Sequence, residues 1–470
     1  MKQESSGSAA IPQPRFKLPF IGHLHYLKSN LSESFINLSS KLGPIYRLKL
    51  AQQDLIVVTS SDLIREISDE TRFSRINGPF ALSLKKTFNT MFAFLSTTDP
   101  LWKMLYRLIY PGFQQKMIEE NYLPLMKDTL EILFNKWDNR SEKYIINLSD
   151  EMRRLVLDTV GVCEFNFNFS SLISEKPLPI PLAINNIISY AVTEMILPKS
   201  LMKLQFRKNK EFQNNVSLLY MYAEKIIEER KKNPDSSRKD LLYFLLYEAE
   251  KVTGKKLDDF TLMNQVLGIL FASISSTSAL LIISFYALLT NPDTLEKTYL
   301  EIDSILGTDV NRPINLQNIS KLVYVRQVIN ECLRLWSPSL MERSPLENTL
   351  MGEKYLVKKG EVMWVTTAVL NKDKALWGDN PNMFNPDRFA PDIKRDHWSF
   401  LPFGVGQRAC IGRLFAIYLV TLNLAMILQR YRLHLSPNTK VDVEKIGSEA
   451  PPTLFVTLEK RMTQKPATLK

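Results

Sequence analysis

Phe400 to Ala416 read FLPFGVGQRACIGRLFA, a stretch with three glycines, two arginines and one of only three cysteines in the chain. It admits two readings. Gly404-x-Gly406-x-x-Ala409 has the outline of a dinucleotide-binding turn, and Cys410 has the setting of a metal ligand. A dinucleotide turn needs a strand before it, a helix after it and an acid about 20 residues on for the ribose. No Asp or Glu occurs between Asp396 and Asp442, and no alternating strand–helix units follow. The cysteine reading keeps every feature. Cys410 immediately precedes the predicted helix Ile411–Arg430, whose first N–H groups and positive dipole end favour a thiolate. Gly404, Gly406 and Gly412 allow a tight turn and close approach of a flat partner. Arg408 adds a cation.

Composition sets the frame. The chain has 470 residues, 45% hydrophobic and 23% charged, with a net charge of +11. That size permits a large core. The positive charge suits an acidic partner, but it is scattered through polar stretches such as KLQFRKNKEF. Without zinc-finger spacing or an aromatic RNA-binding signature, nucleic acid is not an expected partner. Cys163, Cys332 and Cys410 make no disulfide framework and point to a reducing compartment, so a cytoplasmic location is expected. Four histidines supply few metal ligands.

The first residues, MKQESSGSAAIPQPRFKLPFIGHL, show neither a signal-peptide core nor a membrane span. Either the protein is soluble or an anchor lies outside this sequence; peripheral membrane contact stays open. The charge-free run Phe260–Pro292 is long enough to cross a bilayer. Asn264, Gln265 and the ASISSTS cluster instead mark it as the core helix of a large soluble domain.

Periodicity organises the rest. GPIYRLKLAQQDLIVVTS alternates about a polar turn and predicts a β-hairpin. Asp62–Leu289 is mostly helical, with breaks near Pro177–Pro181, Pro198 and Asn233–Ser237. Further helices are predicted over Leu295–Leu306 and Leu322–Trp336. LMGEKYLVKKGEVMWV predicts a hairpin turning at Lys358-Lys359-Gly360. The reading is a single mainly α domain, 1–470, with a small β portion and free tails at 1–11 and 459–470, and the chain is expected to be a monomer.

FGVGQRACIG resembles the haem-binding signature of the cytochrome P-450 family, Phe-x-x-Gly-x-Arg-x-Cys-x-Gly. Phe403, Gly404, Gly406, Arg408, Cys410 and Gly412 all match. Other segments follow in the family's order. Glu331-x-x-Arg334 shares one helix face, and FNPDRF brings Arg388 to complete a structural Glu331–Arg334–Arg388 network. Trp102 in PLWKMLYR resembles a propionate-binding tryptophan; the arginine usual four residues later is Tyr106 here, with Arg107 next. Arg343 matches another propionate contact. The resemblance runs from about Pro12 to Leu458. It implies haem b between a long central helix and the cysteine helix, with Cys410 as axial thiolate. It also implies that Arg408 pairs with a propionate and that Phe403 shields the sulfur.

LVLDTVGVCEFNFNF, SDETRFSR and WGDNPNMFNPDRF are most similar to the soluble bacterial fatty-acid hydroxylase type. The flavin reductase fused in that type does not follow in this sequence. Electrons from NAD(P)H are therefore expected through a separate flavoprotein reductase or ferredoxin. In that type an arginine and a tyrosine hold the fatty-acid carboxylate; their positions fall on Gln53 and Val57, which cannot do so. The substrate expected is a hydrophobic small molecule of fatty-acid, sterol or terpene class. Ala272, Ser276, Ala93, Phe94, Leu340 and Met341 are placed at its pocket by the resemblance.

The central helix departs from the family pattern. Where Ala/Gly-Gly-x-Asp/Glu-Thr-Thr is usual, this chain has Ala272-Ser273-Ile274-Ser275-Ser276-Thr277. Ser275 stands at the acid position and Ser276 at that of the key threonine. These residues hold water and deliver protons in the family; serines order water but supply no ionisable group. The function expected is a monooxygenase relying on Ser276 and water; the alternatives are an isomerase, dehydratase or peroxygenase using an oxygenated or peroxide substrate and, after it, a non-catalytic haem ligand-binding protein.

Overall fold

The computed structural model describes residues 9–461, except 29, 52, 76–77, 198, 236–237, 311–313, 338–339 and 442–450. Pro198, Ser237 and most of both expected tails lie outside the described residues. The described residues at the inner ends of the two expected tails are held by the fold. Ala9 bridges to Tyr355, and its N–H donates to the Lys354 carbonyl. Glu459 and Lys460 belong to a strand, and Arg461 bonds Asp303 at 2.6 Å.

The helical part is built around Asp259–Leu289, the central helix. Asp258 caps it by accepting the Thr261 N–H at 2.8 Å. It runs 31 residues because its interior has no proline and a single glycine, and it stops before Pro292 opens the next helix. The most apolar window of this helix is 61% buried, and that of the cysteine helix, Arg413–Arg430, is 78% buried. Both are long and apolar enough to cross a membrane, but they pack inside the protein. Leu148–Phe165 and Val323–Trp336 lie against the central helix, and all four share one hydrophobic cluster. Each fully buried Leu or Ile there contributes about 1.5–3 kcal/mol.

The strands are β1 (Ile45–Leu50), β2 (Gln53–Val58), β3 (Phe73–Ser74), β4 (Ile146–Asn147), β5 (Leu340–Pro345), β6 (Thr349–Met351), β7 (Tyr355–Val357), β8 (Val362–Thr366), β9 (Tyr431–Leu435) and β10 (Phe455–Lys460). The predicted hairpin is β1–β2, paired from Ile45↔Val58 to Leu50↔Gln53. The second predicted hairpin is corrected. The turn that reverses the chain is Gly352–Lys354, joining β6 to β7, with Gly352 and Glu353 both at positive φ. Lys358–Gly360 merely passes the chain to another sheet, where β8 lies parallel to β2 and antiparallel to β5. Both turns carry a glycine, and alternation alone does not reveal which strand a segment pairs with.

Candidate haem-thiolate site

Cys410 sits at the entrance to its helix, two residues before the N-cap-like Gly412–Arg413 junction. Its N–H donates to the Phe403 carbonyl at 2.8 Å, closing a loop over Gly404 and Gly406. Both glycines have positive φ, at 71° and 74°. A Cβ on Gly406 would lie 2.5 Å from Glu70 Oε1, the oxygen that also accepts the Gln407 N–H at 2.9 Å. On Gly404 it would meet Met341 Sδ at 3.5 Å. The loop is thus held between Glu70 and Met341. The thiol is accessible although protein crowds it. This crowding pushes its pKa up, against the pull of the Gly412 N–H and the Arg413 charge. A neighbouring metal cation is what such a thiol needs to ionise.

Arg408 lies over the Trp102 ring at 4.3 Å. It donates to the Phe92 carbonyl at 3.3 Å and to that of Leu95. Trp102 stacks on Phe92 and, one helical turn along Pro100–Ile109, meets Tyr106 at a tilt of 35°. Arg107 lies roughly 140° round that helix from Trp102. It is exposed and is not brought to the cluster. Burial, then Arg75, push the Arg408 pKa down to about 9; Glu70 opposes and Arg343 adds to the fall. Arg343, buried on β5, is lowered by burial and by Arg75 in turn.

The three guanidiniums thus lie within electrostatic reach of one another, with Glu70 acting on Arg343 and Arg408 and Glu342 on Arg75. Among the described residues, Arg408 Nε and Trp102 Nε1 are buried with no hydrogen-bond partner. Unpaired buried donors beside clustered cations call for an anion. Together with an accessible cysteine they fit a flat, dianionic macrocycle whose metal accepts a thiolate. Arg75 and Glu70 were not singled out as site residues: both lie in SDETRFSR, a stretch read only for its family likeness, and nothing local shows that they meet Arg408.

The central helix presents one accessible face in the middle of the core. Ala272 and Ser276, a turn apart, are exposed, and Ser275 is half-buried. Thr277 is buried on another side of the helix. The Ser276 hydroxyl donates to the Ala272 carbonyl at 2.6 Å. The turn carrying Ala93 and Phe94 packs on this helix, and Gln265 Oε1 accepts the Phe92 N–H at 2.9 Å. Tyr220, Asn264 and Thr90 extend that polar clamp. Leu340 is exposed and Met341 half-buried at the start of β5. Val57 is fully buried within its sheet and Gln53 opens β2, so neither forms a cationic carboxylate anchor.

Behind the cysteine loop, Glu331 and Arg334 are fully buried and joined by two hydrogen bonds of 2.7 Å. Arg388 Nε makes an ionic contact of 3.5 Å with the same carboxylate. Arg334 also donates to the Asn371 and Pro381 carbonyls and lies over Trp377. The network thus fastens the 371–388 segment to Val323–Trp336.

A cysteine loop of this shape, with an anion-binding guanidinium–tryptophan cluster and a mainly helical core, fits the haem-thiolate class of protein. Residues 12–462 match the family model described as Cytochrome P450, and the chain belongs to that family. It is 36% identical over 93% of its length to a bifunctional cytochrome P450/NADPH–P450 reductase of Bacillus cereus, covering 41% of that protein. It is 32% identical to one from Bacillus subtilis, over 98% of this chain and 43% of the relative. A self-sufficient cytochrome P450 monooxygenase of Phanerodontia chrysosporium is 29% identical over 96% of this chain and 42% of its own length. The chain spans about two-fifths of the length of these relatives.

Proposed function

We propose that the protein is a haem-thiolate monooxygenase that puts one oxygen atom of dioxygen into an apolar small molecule. Electrons would come from NADPH through a P450 reductase, as the names of its relatives suggest. The observation that carries this reading is the accessible Cys410 beside the Arg75, Arg343, Arg408 and Trp102 cluster. Bound haem supplies the redox chemistry that divides dioxygen between substrate and water.

The chain's own residues do the rest. Cys410 would hold the metal, and the loop over Gly404 and Gly406 would position its sulfur. Arg408, Arg343, Arg75 and the Trp102 N–H bind and orient the carboxylates. Ala272 leaves room on the opposite helix, and Ala93, Phe94, Leu340 and Met341 give the pocket apolar walls that exclude water. Gln53 and Val57 offer no anchor for a carboxylate, which favours an uncharged substrate end. Ser276 has committed its proton to the Ala272 carbonyl, so it acts as an acceptor that orients a water O–H.

Cys410→Ser is expected to abolish the red-shifted absorption band of the reduced, carbon monoxide-bound protein. An unchanged band would remove the axial assignment. Product is expected with reductase, NADPH and dioxygen. Turnover with hydroperoxide alone would assign the protein to the peroxide-using type instead.

A further inference from the structure

The centre of the central helix carries no acid, yet a carboxyl reaches it from next door. Glu164 lies at the end of Leu148–Phe165, fully buried, with its two oxygens 3.5 and 3.4 Å from Ser273 Oγ. Ser273 is the residue after the accessible Ala272 and three before Ser276, so its Cβ lies about 5–6 Å from that of Ser276. One water can span two such hydroxyls. Ser273 is half-buried, with one side against Glu164 and the rest towards accessible space. Beyond Glu164 the buried Tyr122 hydroxyl has no partner among the described residues and lies within electrostatic reach of the acid.

We propose that Glu164 is a proton-relay residue, supplying through Ser273 the proton that Ser275 and Ser276 cannot. This rests on the monooxygenase reading, in which each turnover takes up two electrons and two protons as dioxygen becomes one substrate hydroxyl and one water. In the relay the Glu164 O–H bond breaks as its proton passes to Ser273 Oγ. The Ser273 hydroxyl proton moves at the same time to a water at the Ala272–Ser276 face. The carboxylate left behind recovers a proton from bulk-derived water by the reverse path. Burial raises the Glu164 pKa well above the ordinary glutamate value, against the pull of the Ser273 hydrogen bond, and so favours the protonated acid that the relay needs. The other ionisable groups around it are Cys163 on its own helix, and Tyr122, Asp240 and Arg238 from neighbouring segments. No cation pairs with Glu164 among the described residues.

The test compares Glu164→Gln, Ser273→Ala and Ser273→Thr with the parent as haem-loaded proteins. Infrared spectroscopy reads the link directly. The carbonyl stretch of a protonated buried carboxyl should be present at neutral pH, vanish in Glu164→Gln, shift in Ser273→Ala and return in Ser273→Thr. Absence of that band from the parent would overturn the proposal without touching the monooxygenase reading. Product formed per NADPH consumed should fall about tenfold or more in Glu164→Gln and Ser273→Ala, and recover in Ser273→Thr. Hydroperoxide-driven turnover, which brings its own oxygen-bound protons, should fall far less. An equal fall in both regimes, or parent-like coupling in both variants, would reduce Glu164 to packing. If Glu164→Gln does not fold, the two Ser273 variants carry the same comparison. A parent that makes no product with reductase and dioxygen would overturn the monooxygenase reading, whatever the infrared band shows.

Discussion

Arg408 holds the anion cluster together, since it stacks on Trp102, bonds two carbonyls and keeps one buried N–H unpaired. Its replacement by Gln is expected to weaken haem binding by about 1.5–3 kcal/mol, the worth of a charge-assisted hydrogen bond. Titrating apoprotein with haem would show this as a roughly 10- to 100-fold higher dissociation constant. Arg107→Ala should leave that titration unchanged. Gly406→Ala meets both a positive φ and the Glu70 carboxylate, so it should destabilise the protein by about 1–3 kcal/mol in denaturant unfolding. The cysteine, Arg408 and the glycines were readable because they crowd into ten residues. Arg75 and Glu70 were not, because they meet Arg408 only through folding, more than 300 positions away.

Val323–Trp336 shows what a helix adds to its residues. Its Glu331 and Arg334 would be a modest surface pair if exposed. Here both are fully buried, and Arg388 and the 371–383 carbonyls complete the set. Glu331→Gln removes the only carboxylate facing two guanidiniums in that contact. The expected loss is about 3–5 kcal/mol, measured as a lower urea midpoint with an unchanged slope. The sequence made these helices plain through their period and the breaks between them. It misplaced the hairpin after β5, because β6, β7 and β8 are short and equally alternating. Strand partners there are settled by sheets built from distant residues.

Among the buried acids, Glu164 gives the whole protein a distinct contribution to its pH dependence. Glu164 keeps its proton in the fold, while an unfolded glutamate releases it near pH 4.5. The contribution of the neutral carboxyl is complete below that value and is lost as pH rises through the raised folded pKa. The Glu164 contribution should therefore make stability decline as pH rises above about 4.5, and Glu164→Gln should flatten that part of the decline in thermal unfolding curves. The overall architecture was readable in outline, with one long core helix, a β portion and a terminal cysteine helix. What no local pattern could reveal is the parallel pairing of β2 with β8, residues 55–58 against 362–365. That pairing also bears on synthesis. At about 5–20 residues per second, β2 leaves the ribosome roughly 15–60 s before its partner exists. Through that interval an edge rich in Ile and Val waits unpaired, a template for association with other nascent chains. The helices can form as they emerge, whereas the sheet must wait for the C-terminal third of the chain.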